Sequence, residues 1–226
     1  MDSLDKLIDL ALAEDVGPGD LTSEALIPED AFGRAEFLCK ERMVLAGTEA
    51  ATRTFRAVDP RCKAVFFVEE GRVIEPGAVF GEVEGPIRAL LTGERTALNF
   101  LQRLCGVATL TRIWVERLAG TRLQLLDTRK TVPGFRALEK AAVRAGGGRN
   151  HRFALYDGVL IKDNHLAAVG SIEDAIARAR SRAPLLTKIE VEVVDVAGAE
   201  RAAAAGADVI LLDNMSDESI AAAIQA

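Results

Sequence analysis

Residues 189–213 read IEVEVVDVAGAERAAAAGADVILLD, an apolar run, an alanine-rich stretch and a second apolar run that ends in aspartate. The two apolar runs, 189–193 and 208–213, predict strands buried on both faces. The stretch between them predicts a helix over 196–205 that ends before Gly206. A strand, a helix and a strand at this spacing are typical of the βα units that build a parallel sheet or barrel.

The same rhythm extends toward the N-terminus as far as residue 120. LQLLD (123–127) and GVLIK (158–162) predict two more strands, and 135–145 and 171–182 predict helices, the second capped by Ser171. The active site of an α/β barrel lies at the carboxyl ends of its strands. Here those ends carry Asp127, Arg129 and Lys130, then Lys162, Asp163 and His165, then Glu192, and finally Asp213 and Asn214. We therefore expect the functional site at this edge.

The first half of the chain has a different pattern. A helix is expected near the N-terminus and another over 47–58, while short β-type runs separated by glycines fill the rest of 34–91 and predict a small antiparallel sheet. A long helix is expected over 93–119, with Gly106 kinking or dividing it. Arg95 would then lie in its first turn, either exposed or directed at an anion that the helix N-terminus attracts. We predict an α+β domain over 1–119 and an α/β domain over 120–226.

Composition narrows the class of protein. The 226 residues are 49% hydrophobic and 27% charged, as in a soluble globular protein, and no apolar run is long enough for a membrane span. The N-terminus carries acids where a signal peptide would be basic, so we expect a cytoplasmic protein. Cys39, Cys62 and Cys105 form no CxxC pair and are expected to be buried free thiols.

Positive charge is concentrated in one segment of an acidic chain. The net charge is −6, whereas residues 125–165 hold eight Lys or Arg against four acids, an excess of +4, together with both histidines. Such a site suits a small, multiply anionic ligand better than DNA, which an acidic surface repels.

Individual residues of this segment leave alternatives open. Arg129, Lys130, Arg152 and Lys162 are matched to carboxylates and phosphates, although each could be a solvated loop charge. The three glycines of 146–148 either end a helix or expose backbone N–H groups to an anion. His151 is either a donor to ligand or a satisfied core histidine.

Two acids are candidates for a metal. Glu192 and Asp213 are expected at the ends of neighbouring strands, where they could hold Mg²⁺, which usually takes one or two protein carboxylates plus ligand oxygens. The alternative is a pair of structural acids bridged by lysine.

Taken together, the motifs resemble those of a known family. LLDTRKTVPGFR, AVRAGGGRNHR, GVLIKDNH, IEVEV and ADVILLDN, in that order, with EDVGPGDLTS and TGERTALNFLQRLCGVAT upstream, are similar to quinolinate phosphoribosyltransferase. The resemblance covers essentially the whole chain. It implies an N-terminal α+β sandwich followed by an incomplete, open α/β barrel. It also implies transfer of phosphoribosyl from phosphoribosyl pyrophosphate to quinolinate, giving nicotinate mononucleotide, carbon dioxide and pyrophosphate with Mg²⁺, a step of NAD biosynthesis.

The resemblance also implies residue roles. Quinolinate carboxylates would be bound by Arg129, His151, Arg152 and Lys162, and His165 would support the site near Lys162. Lys130 would face phosphoribosyl pyrophosphate, and Glu192 and Asp213 would face the ribose of that substrate and the metal. Lys130, Glu192 and Asp213 are the catalytic candidates. Arg95 would reach across a homodimer, or a dimer-based larger oligomer, into the partner's site.

One departure and two alternatives accompany this interpretation. The family's barrel continues beyond the DN motif, so at Ala226 we expect the barrel to be incomplete and its 5′-phosphate loops to be missing. A related phosphoribosyltransferase acting on another pyridine or pyrimidine acid is the enzyme alternative. A non-catalytic anion-binding or assembly subunit is the alternative from another class.

Overall fold

A computed structural model describes residues 3–226 and divides the chain into two compact units. The first unit ends at His151 and the second runs from Arg152 to Ala226. The boundary that we placed after residue 119 remains a prediction. No helix within 3–226 combines the length and the apolar character needed to cross a membrane.

The first unit contains five helices among its described residues and a small antiparallel sheet. Strands β1, β5 and β3 form that sheet in the order β1-β5-β3, and β2 and β4 form a separate antiparallel pair. The elements are α1 (Ser3–Asp15), α2 (Leu21–Leu26), β1 (Phe32–Leu38), β2 (Met43–Val44), α3 (Thr48–Val58), β3 (Lys63–Phe66), β4 (Val73–Ile74), β5 (Val79–Pro86), α4 (Ile87–Arg117) and α5 (Arg136–Ala145).

The core of the first unit lies between its sheet and helices α3 and α4. The rings of Phe37, Phe66 and Phe80 stack or tilt against one another, and Phe55 from α3 meets Phe37 edge-on. The predicted free thiols are confirmed, because Cys39, Cys62 and Cys105 are all buried and unbridged. Burial raises the pKa of the Cys105 thiol to about 11.

Helix α4 departs from the prediction at both its start and its middle. It begins at Ile87, so PIRALL (86–91) is mostly helical where we expected a strand, and it runs unbroken through Gly106, which does not divide it. Arg95 therefore lies about two turns inside the helix and is exposed, rather than in the first turn. The prediction that Arg95 lies beside a helix N-terminus is wrong, and only the family resemblance supports a role for this residue.

The predicted strand over 123–127 is reduced to a single bridge. Leu126 pairs in parallel with Arg149. The Arg149 N–H donates to the Leu125 carbonyl at 2.8 Å, and the Asp127 N–H donates to the Arg149 carbonyl at 3.1 Å. This bridge still sets Asp127 beside the segment that carries His151.

The second unit is built from a parallel sheet with helices packed against it. Its strands lie in the order β6-β7-β8. The elements are β6 (Val159–Ile161), α6 (Asp163–Val169), α7 (Ile172–Arg182), β7 (Ile189–Val193), α8 (Val196–Ala204), β8 (Val209–Leu212) and α9 (Asp217–Gln225). Ile189, Val191 and Val193 face the buried cluster that the helices cover. The predicted fold class, an α+β part followed by an open parallel α/β part, is confirmed.

Candidate active site

The second unit places three predicted site residues on one face of its sheet. Side chains alternate along a strand, and Val191 and Val193 face the core, so Glu192 faces the other way. Lys162 follows β6, whose Ile161 is paired with Val191, and therefore lies on the side of Glu192. Leu211 of β8 pairs with Glu192 of β7. Asp213 follows Leu211 by two residues and therefore lies on the same face of the sheet as Glu192.

Lys162 and Glu192 form an ion pair across the two strands. Lys162 Nζ donates to Glu192 Oε2, with the lysine side chain 43% exposed and the glutamate side chain 13% exposed. The alternative of a lysine-bridged acid thus describes Glu192 in this structure. It does not describe Asp213, whose Oδ2 accepts a hydrogen bond of 2.8 Å from Asn214 Nδ2. Asn214 has a φ of 52°, in the left-handed region that asparagine tolerates better than most residues.

His165 supports the backbone of Lys162. The KDNH sequence opens helix α6, which the sequence did not predict, with Lys162 at the N-cap. The Lys162 N–H donates to His165 Nδ1 at 2.9 Å, so the imidazole satisfies a backbone group at the end of β6. The histidine thereby holds the backbone of Lys162, three residues earlier, and its role in supporting a substrate site stays a prediction.

Two arginines carry buried donors without a partner. Among residues 3–226, the Nε atoms of Arg129 and Arg152 are buried and make no hydrogen bond, although Arg152 Nη1 donates to the Gly158 carbonyl at 2.9 Å. A buried donor left unsatisfied costs about 1–3 kcal/mol, which a bound anion would recover. Both atoms belong to residues for which we predicted carboxylate binding.

The loop that carries Arg129 and Lys130 is folded on itself. The Thr131 N–H donates to the Arg129 carbonyl at 2.9 Å, and the Lys130 N–H donates to Thr128 Oγ1 at 3.0 Å. The Lys130 side chain is exposed, so its ammonium group is accessible to an anionic ligand.

The three glycines end helix α5. Gly147, with a φ of 95°, donates its N–H to the Arg144 carbonyl at 2.9 Å, and Gly148 donates to the Val143 carbonyl at 3.0 Å. These two bonds are those of a Schellman motif. Gly146 also donates to α5, at the Ala142 carbonyl. The structure therefore favours the helix-ending alternative over an anion cradle.

Fewer of the eight basic residues in 125–165 are available to a ligand than the sequence count indicates. Several of these residues are engaged inside the first unit, where Lys140 pairs with Asp127, Arg144 with Asn150 and Arg149 with Gln124. Lys140 is 1% exposed and cannot reach a ligand in solvent. Lys140 is therefore counted in the local excess of +4 but is not available to a ligand.

Sequence reasoning missed three buried charged residues near these segments. Glu139 and Lys140, the second paired with Asp127, hold the loops that carry Arg129 and His151, and their partners are too far away in sequence to be recognised by spacing. Glu190 is 8% exposed and shares the sheet face of Glu192. The alternation in IEVEV was the available signal for Glu190.

The two acids expected to hold a metal lie at the edge of the sheet in the second unit. Glu192 and Asp213 share one face at the ends of adjacent strands, which fits Mg²⁺ held by two carboxylates and by ligand oxygens. No group of three or more His, Cys, Asp or Glu in the described part of the chain could hold a metal. The residues present thus fit an ion whose other ligands come from substrate and water.

Comparison with known proteins identifies the family. The family model for the quinolinate phosphoribosyl transferase N-terminal domain matches residues 20–105, and the model for its C-terminal domain matches residues 107–226. A probable nicotinate-nucleotide pyrophosphorylase [carboxylating] of Bacillus subtilis is 45% identical over 217 residues, covering 96% of this chain and 75% of the relative.

Solved structures agree with this match. NadC from Streptococcus pyogenes is 45% identical with a TM-score of 0.93, covering 98% of this chain and 79% of that one. The nicotinate-nucleotide pyrophosphorylase from Francisella tularensis is 38% identical with a TM-score of 0.94, covering 99% of this chain and 79% of that one. The chain belongs to the quinolinate phosphoribosyltransferase family.

Proposed function

We propose that the protein transfers the phosphoribosyl group of phosphoribosyl pyrophosphate to quinolinate and removes one carboxylate, giving nicotinate mononucleotide, carbon dioxide and pyrophosphate. The observation that carries the proposal is the match of both domain models of one family over residues 20–105 and 107–226. The buried unpartnered Nε atoms of Arg129 and Arg152 support an anionic substrate.

Binding of quinolinate is assigned to four residues. Arg129, His151, Arg152 and Lys162 donate to its two carboxylates, the arginines through their planar guanidinium groups and the lysine as a point charge. Because quinolinate and phosphoribosyl pyrophosphate repel each other, positioning them side by side supplies much of the catalysis. Arg95 is proposed to complete the carboxylate site of a partner subunit in a homodimer.

The acids and Lys130 act on the sugar. As the bond from the ribose C1 to pyrophosphate breaks, C1 becomes oxocarbenium-like, and the carboxylates of Glu192 and Asp213 stabilise that positive charge. Lys130 offsets the negative charge that grows on the leaving pyrophosphate. Glu192 and Asp213 would also hold Mg²⁺, which as a Lewis acid would stabilise negative charge on the phosphate oxygens.

The last step needs no nucleophilic side chain. The quinolinate ring nitrogen forms the bond to C1, and the resulting pyridinium accepts the electron pair of the adjacent carbon–carboxylate bond. Carbon dioxide leaves, and a proton takes its place on the ring.

The proposal is tested by incubating the protein with quinolinate, phosphoribosyl pyrophosphate and Mg²⁺ and measuring nicotinate mononucleotide, carbon dioxide and pyrophosphate. Equal amounts of the three products are expected, and nicotinate should not replace quinolinate. Product from nicotinate, or from a pyrimidine acid in preference to quinolinate, would favour the related phosphoribosyltransferase. Quinolinate binding without pyrophosphate release would favour a non-catalytic anion-binding subunit.

A further inference from the structure

Helix α5 carries two adjacent charged residues that are almost completely buried. Lys140 is 1% exposed and Glu139 is 9% exposed. Lysine and glutamate are rarely buried to this degree unless they are paired. Successive residues of a helix point about 100° apart, so the two side chains leave α5 in different directions.

Lys140 holds the segment that contains His151. Its ammonium group donates to Asp127 Oδ1 and, at 3.1 Å, to the His151 carbonyl. Asp127 Oδ1 in turn accepts the His151 N–H at 2.9 Å, and its Oδ2 accepts Asn150 Nδ2 at 2.6 Å. One buried ion pair therefore satisfies both backbone groups of His151.

Glu139 holds the loop that contains Arg129 and Lys130. Its Oε2 accepts the Val132 N–H at 3.2 Å, and its Oε1 accepts hydrogen bonds from the Arg103 guanidinium group of α4. The loop is thus tied through one carboxylate to α5 and α4.

We infer that Glu139 and Lys140 are positioning residues, which fix the two segments that bind substrate before substrate arrives. This inference rests on the proposed function, because it takes Arg129, Lys130 and His151 as substrate-binding residues. Donors that are already in place need no reorganisation when an anion binds, and this is how a preorganised site gains its strength. A purely structural ion pair would stabilise the fold without affecting substrate binding.

The experiment compares Lys140→Met, the double variant Lys140→Met/Asp127→Asn and the control Arg149→Met. Arg149 lies in the same segment, but its exposed side chain bonds Gln124 and is outside the proposed machinery. Lys140→Met should raise the KM for quinolinate by about ten- to a hundredfold, because small displacements of binding groups are costly. The KM for phosphoribosyl pyrophosphate should stay within about twofold of the wild-type value, since His151 is assigned to quinolinate, and the control should change neither.

The double variant distinguishes the loss of His151 positioning from the loss of fold stability. Removing both charges leaves no unpaired buried ion, so it should unfold closer to the wild-type temperature than Lys140→Met does. Its quinolinate KM should nevertheless remain raised, because the His151 carbonyl still lacks its donor. A quinolinate KM that recovers together with stability, or that never rises in Lys140→Met, would overturn the inference.

Hydrogen exchange keeps this test independent of the reaction. In the wild-type protein without substrate, the His151 amide should be protected from exchange, and Lys140→Met should expose it while Arg149→Met should not. A wild-type protein that forms no product would refute the proposed function and leave this measurement to decide the positioning role. Equal protection in the wild type and in Lys140→Met would refute that role.

Discussion

Replacing Arg152 by alanine should weaken quinolinate binding by about 10- to 150-fold. Arg152 Nη1 is already bonded to the Gly158 carbonyl, whereas its Nε is buried without a partner, so Nε is the donor that the ligand gains. A hydrogen bond from a charged group contributes about 1.5–3 kcal/mol net. Each 1.36 kcal/mol corresponds to a factor of about ten, which gives the expected range.

The assay is calorimetric titration of quinolinate into the protein without phosphoribosyl pyrophosphate. Arg149→Ala is the matched control, because it removes an arginine three residues earlier whose side chain bonds Gln124. Arg152→Lys keeps the charge but loses the planar fork, so it should bind less tightly than the wild type. Equal affinities for Arg152→Ala and Arg149→Ala would refute the assignment of Nε to the ligand.

Three further predictions concern packing, thiol reactivity and pH. A Cβ at Gly146 would lie 2.5 Å from the Ala108 carbonyl oxygen, so Gly146→Ala should destabilise by about 1–3 kcal/mol in urea unfolding. Gly106→Ala, inside α4 with nothing within 4 Å, should instead stabilise by about 0.5–1 kcal/mol. The Cys105 thiol, whose pKa burial raises to about 11, should resist a thiol reagent at pH 8 until the protein unfolds. The side-chain hydrogen bond from Arg201 lowers the pKa of Glu173 from 4.5 to about 2. The stability that this shift contributes is therefore present above pH 4.5 and lost as the pH falls toward 2, so the melting temperatures of wild type and Glu173→Gln should converge over that interval.

The sequence predicted best those elements whose signal is local. Strand β7 was predicted at its observed bounds, Ile189–Val193, from an apolar run of the kind that parallel strands contain. Ser171 was recognised as an N-cap, and its side chain does accept the Asp174 N–H at 3.0 Å. Such features need only a few neighbouring residues, which is why a single sequence suffices for them.

The sequence failed where the deciding partner is distant or the signal is ambiguous. The residues after Pro86 were predicted to be a strand, although proline is equally suited to the start of a helix, and α4 begins directly after it. The strand expected over 123–127 forms only the bridge at Leu126, since its one neighbour here is the short segment at Arg149. Apolar composition alone could not distinguish these outcomes.

In the candidate site, too, local features could be predicted from the sequence and distant pairings could not. Glu192, Lys162 and Asp213 could be placed at strand ends from the order of the motifs, and the register of the second unit puts them on one face. Burial of Lys140 could not be predicted, because its carboxylate partner Asp127 is 13 residues away and belongs to another segment. A count of charges in the sequence treats such a lysine as available, whereas only three-dimensional packing shows that it is not.

We propose that this chain joins quinolinate to a phosphoribosyl group with loss of carbon dioxide, and that Glu192 acts on the sugar. The most direct measurement is turnover of quinolinate by the wild-type protein and by Glu192→Gln, with phosphoribosyl pyrophosphate and Mg²⁺ present. We expect nicotinate mononucleotide from the wild type, and a kcat lowered by about 10²- to 10³-fold in the variant, as for loss of one group that stabilises transition-state charge. A wild type that forms no nicotinate mononucleotide, or a variant with unchanged kcat, would contradict the account.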